Sequence, residues 1–325
     1  MVRFISILLL AATLWFAWAL AIPVAPNVPQ TLLFPPGSST KTIAAELQRT
    51  SVVRSRFAFE LLHYAMPQKK LKAGEYRFVH ASSGLEIFDR IARGDVLVRT
   101  VVVPEGYNMF EIAAAIEAAG LGKKEDFLTV ANHETGLIRA IDPHAKSLEG
   151  YLFPDTYQFS RTMAMRDIAA AMVKRFQKEA QTLGLQQDAH RIVTLASIVE
   201  KETAAPDERP QVASVYTNRL AKNMGLAADP TVVYAALLSG TYRGTIYQSD
   251  LQSDSPYNTY KFAGLPPGPI ANPGAASLRA AMQPAQTAYL FFVAAGDGSG
   301  RHHFSANFEQ HEQNVIAYRK AMKAH

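Results

Sequence analysis

The chain has 325 residues, 48% hydrophobic and 19% charged, which is enough for one large core or two smaller ones and excludes a mainly disordered chain. Its 33 Lys and Arg exceed its 28 Asp and Glu, giving +5, but the basic pairs Lys69/Lys70, Lys123/Lys124, Lys174/Arg175 and Arg319/Lys320 are too scattered for a phosphate-binding stripe, so no nucleic-acid partner is expected. With no cysteine, disulfides, thiolate nucleophiles and Cys-ligated metal centres are excluded.

Arg3 precedes an uncharged stretch that lasts until Lys41, and its first 22 residues, Phe4 to Ala25, are almost wholly apolar. A helix of that length spans roughly the thickness of a bilayer's hydrocarbon core, about 30 Å. The positive charge lies before the run, which predicts a cytoplasmic N-terminus and export of the remainder. Ala19-Leu20-Ala21 would also serve as a signal-peptide cleavage site. The apolar run exceeds the usual hydrophobic segment of such peptides, about 7–15 residues, which favours an uncleaved anchor.

Pro23, Pro26, Pro29, Pro35 and Pro36 stiffen the next segment, either as a tether or as the lead into a first strand at 31–34. A helical pattern follows from Ser39, with Ile43, Ala44 and Leu47 on one face, and a second covers 56–62. Residues 74–79 alternate as a strand; Ser83 and Glu86 form a capping box for a helix that Gly94 stops. Residues 98–103 read as another strand. Pro104-Glu105-Gly106 then turns the chain into a helix capped by Asn108 and ended by Gly120. Further helices are expected at 166–183, 189–203, 211–220 and 230–238, then a strand at 289–294, a Gly-rich turn at 296–300 and a final helix from about Asn307. The expected fold is α+β: an anchor over residues 1–25, a linker and small α/β module over 26–99, and a larger, mainly helical domain with short strands over 100–325.

The segment from Ile192 to Thr203 is an apolar helix ending in Glu200-Lys201-Glu202. Residues two apart on a helix point to different sides, so Glu200 and Glu202 do not form an acid/base pair by spacing alone. A glutamate at the apolar end of a buried helix loses hydration in its charged form, which suits a proton donor. The plainer reading is a solvated helix end. Downstream, Asp229-Pro230-Thr231 offers an N-cap or a pocket carboxylate. Tyr257-Asn258-Thr259-Tyr260 offers aromatic faces with an amide and hydroxyl suited to sugars. Leu265 to Gly274 is a stiff Pro- and Gly-rich loop that a cleft could use.

These stretches, with the run from Leu148 to Tyr157, resemble in order and spacing the endolytic murein transglycosylase family, a peptidoglycan lytic family of bacteria. The resemblance implies a single-pass protein of the cell inner membrane with a LysM-like module at about 31–98 and a periplasmic catalytic domain that cuts peptidoglycan glycan strands internally, near cell-wall synthases or division proteins. It places the family's catalytic glutamate on Glu200. Ser197, Glu202, Asp229, Tyr257, Asn258 and Tyr260 become candidate substrate-binding residues. No cofactor and no metal is implied. Such an enzyme cleaves the β-1,4 bond between N-acetylmuramic acid and N-acetylglucosamine, and the muramyl C6 hydroxyl is the nucleophile, so one carboxyl group suffices as acid and then base.

Rival readings are weaker. Glu149 and Asp155 lie in an aromatic run that reads first as a packed corner, and Glu105 reads as a turn residue. His302, His303 and His311 lack the spacing of a zinc motif. Ser197 has no His partner by spacing. A non-enzymatic periplasmic binder or scaffold, or a hydrolase using water on the same bond, are the alternatives in function.

Overall fold

A computed structural model describes residues 2–324 as two compact units. The smaller comprises the described residues up to 100, with 119–121 and 158–164; the larger comprises residues 101–118, 122–157 and the described residues from 165 onward.

In the smaller unit, helix α1 (Val2–Ala21) is the apolar N-terminal segment, with a mean hydropathy of 2.2 over Arg3–Ala21. Strand β1 (Gln30–Phe34), helices α2 (Thr40–Arg49) and α3 (Arg56–Ala65) and strand β2 (Gly74–Phe78) follow, and β1 pairs antiparallel with β2 from Gln30 opposite Phe78 to Phe34 opposite Gly74. The proline-rich stretch thus leads into a strand. It is also tied down before that strand, because Val24 bridges Ser82 and Arg54 donates to the Pro23 carbonyl at 2.9 Å. Helix α4 (Gly84–Arg93) begins at the capping box, with both Ser83 and Glu86 bonds made, and ends at Gly94 in the left-handed conformation. Ile43, Leu47, Phe59, Tyr76, Phe78, Phe88 and Ile91 form the core. A buried acid at its edge, Glu75 on β2, is ion-paired with Arg99 at 2.9 Å and Arg161 at 3.2 Å, as a buried carboxylate requires.

Strand β3 (Val98–Val103) pairs with β4 (Asp155–Ser160) in a second sheet. Helix α5 (Met109–Ala118) starts under Asn108, whose side-chain oxygen accepts the N–H groups of Phe110 and Glu111 at 3.0 Å. Then come α6 (Lys124–His133), α7 (Met165–Leu183), α8 (Ala189–Glu202), α9 (Arg209–Ala221), α10 (Asp229–Leu238), the single turn α11 (Gln248–Leu251) and α12 (Ala275–Met282). The hairpin of β5 (Phe291–Ala294) and β6 (His302–Ser305) and the last helix, α13 (Phe308–Ala324), complete the chain. The sequence reading passed over α6, β4, α11, α12 and β6, whose short or weakly periodic runs carry little local signal.

Helix α8 is the axis of the larger unit. Every residue from Val193 to Val199 is buried, and the helix packs against α12, α9 and α10. Between Val193 and Val199 it has no solvent face, and only its two ends, at Arg191 and Lys201, reach water. The chain around Gly150 closes on it tightly: that glycine has φ +87°, and a Cβ there would come within 2.5 Å of Pro269 and 2.8 Å of Val193. Glycine is required on both counts.

Candidate active site

The Glu200 side chain leaves the end of α8 but remains only 4% exposed. One carboxylate oxygen accepts a hydrogen bond from Arg209 Nη2 at 2.8 Å, and the other accepts the Gly274 N–H at 2.9 Å. Charge-assisted donors on both oxygens fix the group in one orientation. Arg209 opens α9 and is itself 9% exposed; its Nη2 also lies 3.5 Å from Glu105, and its Nε has no hydrogen-bond partner among the described residues. Glu105 lies so close over Gly274 that a Cβ at that position would fall 1.9 Å from its Oε1, so any larger residue there would push the half-exposed Glu105 carboxylate aside. Glu105 is therefore more than a turn residue, since it contributes to the charge around Arg209.

The Gly274 N–H is delivered by the stiff loop foreseen at 265–274, and Asn272 holds that loop. Its main chain exchanges bonds with Gly106 and Tyr107, while its fully buried amide donates to the Tyr107 carbonyl at 2.9 Å and to Glu149 at 2.8 Å and accepts the Leu152 N–H at 2.8 Å. Glu149 also accepts the Met109 N–H at 2.9 Å. It is a packing residue of the corner, as the sequence suggested, and it fastens three segments of the chain together. His190 adds a second fastening, with Nδ1 at 2.7 Å from Asp142 and Nε2 at 3.1 Å from the Pro267 carbonyl.

Glu202 faces elsewhere, as its two-residue offset requires. It accepts the Tyr216 hydroxyl at 2.7 Å. Asp229 is the first residue of α10, where it caps nothing with its side chain; it accepts the Tyr260 hydroxyl at 2.6 Å and lines a cavity of about 550 Å³. Lys201, Asn108, Phe110, Tyr234 and Tyr242 also line this cavity, and Lys201 donates to the Gly106 carbonyl at 3.2 Å. The Tyr257 ring stands 5.1 Å from that of Tyr234, whereas Tyr260 is exposed.

Two of the candidate residues are wholly buried. The Ser197 hydroxyl donates to the Thr194 carbonyl and accepts the Ile270 N–H at 3.0 Å, so it joins α8 to the loop. Asn258 donates to the carbonyls of Leu251 and Ser253 and accepts the Tyr260 N–H. The structure thus gathers Glu200, Arg209, Glu105 and Gly274 at one point, and Glu202, Asp229, Tyr216 and Tyr260 around another. Arg209 was missed in the sequence, and Asn272 and Gly274 were read only as parts of the stiff loop, without roles of their own. An arginine opening the helix after a Glu-Lys-Glu end was the available clue to the first; nothing local singled out the other two within their loop.

Burial pushes the Glu149 carboxyl up to about 8, against the opposing pull of the Met109 N–H and the Tyr234 hydroxyl. Burial likewise pushes Glu202 up to about 7, opposed by the Tyr216 hydroxyl and reinforced by the charge of Asp229. Both values lie above those of an unfolded chain, so the folded protein keeps protons that the unfolded one has lost. These groups therefore favour the fold most fully below about pH 4.5, and their contribution falls as pH rises toward about 7 and 8. Each contributes a slope of at most about 1.4 kcal/mol per pH unit within its window. Urea midpoints followed by circular dichroism are expected to decline across this range. In Glu149→Gln the decline should stop near pH 7; midpoints independent of pH in the parent protein would contradict both assignments.

The architecture is that of a mostly helical α+β protein with an apolar N-terminal helix and a buried glutamate clamped by an arginine and a main-chain N–H at the end of its central helix. The sequence profile of the YceG-like family matches residues 32–317. Over 287 residues, covering 81% of the chain and 78% of the relative, it is 34% identical to a Bacillus subtilis strain 168 protein named endolytic murein transglycosylase. A protein of the same name from Streptococcus pneumoniae strain D39 is 28% identical over 327 residues, covering 89% of this chain and 58% of that longer protein. The crystal structure of a YceG-like protein from Listeria monocytogenes, at 34% identity, superposes with a TM-score of 0.57 and covers 88% of this chain and 98% of that one. The chain belongs to the YceG-like family.

Proposed function

We propose that this protein is an endolytic murein transglycosylase, a lyase that cuts peptidoglycan glycan strands internally, with Glu200 acting first as acid and then as base. The observation that carries the reading is the Glu200 carboxyl group, 4% exposed and held through both oxygens by Arg209 and the Gly274 N–H. Two relatives bearing that activity in their names support it.

In the proposed cycle, protonated Glu200 gives its proton to the glycosidic oxygen while the bond from muramyl C1 to that oxygen breaks. The C6 hydroxyl oxygen of the same muramyl residue then bonds to C1, and its proton passes to the Glu200 carboxylate. The acid is regenerated and a 1,6-anhydro end remains. No water enters, so the second carboxylate that ordinary glycosidases need is unnecessary. The nucleophile is already part of the substrate, which supplies the advantage of proximity. Arg209 and the Gly274 N–H hold the carboxylate formed midway. Asp229, Glu202, Tyr257 and Tyr260 are assigned to the wall of the glycan cleft, and Ser197 and Asn258 to its support.

Helix α1 is read as a single-pass inner-membrane anchor, with the N-terminus cytoplasmic and the bulk periplasmic. The β1–α2–α3–β2 order with antiparallel strands supports a LysM-like module. The test is mass spectrometry of muropeptides released from isolated sacculi. Internal fragments with 1,6-anhydro ends are expected. Reducing ends would mean a hydrolase, and sacculi bound but unchanged would mean a binder.

A further inference from the structure

We propose that the smaller unit is seated in the membrane surface, with the exposed apolar side of α3 immersed in the leaflet from which α1 emerges. This rests on the reading of α1 as an uncleaved anchor. The argument begins with length. Helix α1 is free of the folded unit only as far as Trp15; Phe16 packs against the core, and Ala19 and Leu20 are 2% and 4% exposed. Leu20 lies directly on Gly84 at the start of α4, where an added Cβ would be 3.0 Å from it. The clear stretch from Phe4 to Trp15 is therefore about 18 Å long, against a hydrocarbon core of about 30 Å. Tilting the helix only shortens its reach, and thinning a bilayer by about 12 Å is costly at fractions of a kcal/mol per Å. The last turns of α1 must then lie at membrane depth together with the protein surface packed around them.

That surface has the chemistry such a position requires. Phe57, Leu61 and Tyr64 succeed one another at helical spacing on α3, one of the two helices against which α1 packs, and they are 62%, 55% and 66% exposed. Leu85, beside Gly84 on α4, is 43% exposed. The stripe is registered with the anchor: the Arg54 guanidinium lies 5.0 Å over the Trp18 ring and bonds the Pro23 carbonyl, while Arg56 lies over Phe57. A tryptophan and apolar side chains within the leaflet, beside guanidinium groups long enough to reach toward the headgroups, are the composition of an interfacial helix. In water the same stripe would be an unexplained apolar patch.

Because the chain has no cysteine, single-cysteine variants carry one probe each. The full-length protein in phosphatidylethanolamine/phosphatidylglycerol vesicles is labelled with an environment-sensitive fluorophore in Phe57→Cys, Leu61→Cys, Leu9→Cys and Lys41→Cys. Labels at 57 and 61 are expected to be quenched by acyl-chain nitroxide lipids and to show iodide quenching about threefold or more below that at 41, as for side chains buried about 5–10 Å into the interface. Labels at 57 and 61 as open to iodide as that at 41, with the label at 9 quenched by lipid, would overturn the seating and leave the anchor standing. A label at 9 that no lipid quenches would overturn both.

Discussion

Glu200→Gln is expected to lower the release of 1,6-anhydro ends by about a thousandfold or more, the range that loss of a general acid and base commands. The amide cannot give a proton to the glycosidic oxygen or take one from the C6 hydroxyl. It can still accept hydrogen bonds through its single oxygen, but the Arg209 charge would then face only Glu105, at 3.5 Å. A stability loss of about 1–3 kcal/mol is expected for one partner of a buried charge pair replaced by a neutral acceptor. Assays are therefore run below the shifted melting temperature, with folding checked by circular dichroism. Glu202→Gln serves as the comparison, because that carboxyl is buried on the same turn yet bonds to Tyr216. Activity within tenfold of the parent in Glu200→Gln, and lost in Glu202→Gln, would move the acid to residue 202.

Asn272→Ala is expected to destabilise the larger unit by about 3–5 kcal/mol and to depress activity with it. The substitution removes three hydrogen bonds in a site of zero exposure and leaves the Leu152 N–H without its acceptor. A buried donor left unpaired costs about 1–3 kcal/mol beyond the bonds themselves. The effect should reach the site because Gly274, whose N–H meets Glu200, lies two residues further along the same loop. Urea denaturation measures the first effect and product release at low temperature the second. A loss below about 1 kcal/mol would mean that main-chain bonds to Gly106 and Tyr107 hold the loop without the side chain.

What the sequence by itself determined was local. Ser83 as a cap, Gly94 as a stop, the helix opening near Ser39 and the apolar run of α8 are each set by interactions within a turn or two, and all are found as read. So is the separation of Glu200 from Glu202, which follows from helical geometry alone. The apolar N-terminal run read to Ala25, by contrast, is helical only to Ala21. Only the tertiary structure decided what each buried polar group meets. Gly274 is 74 residues from Glu200, Asn272 is 123 from Glu149, and His190 is 48 from Asp142. The stretch read as a possible proline tether proved to be the start of a strand fastened to Ser82 and Arg54. The reason is physical. Helix caps and apolar periodicity are written in neighbouring residues, whereas a buried donor finds its acceptor only once packing has closed the chain around both.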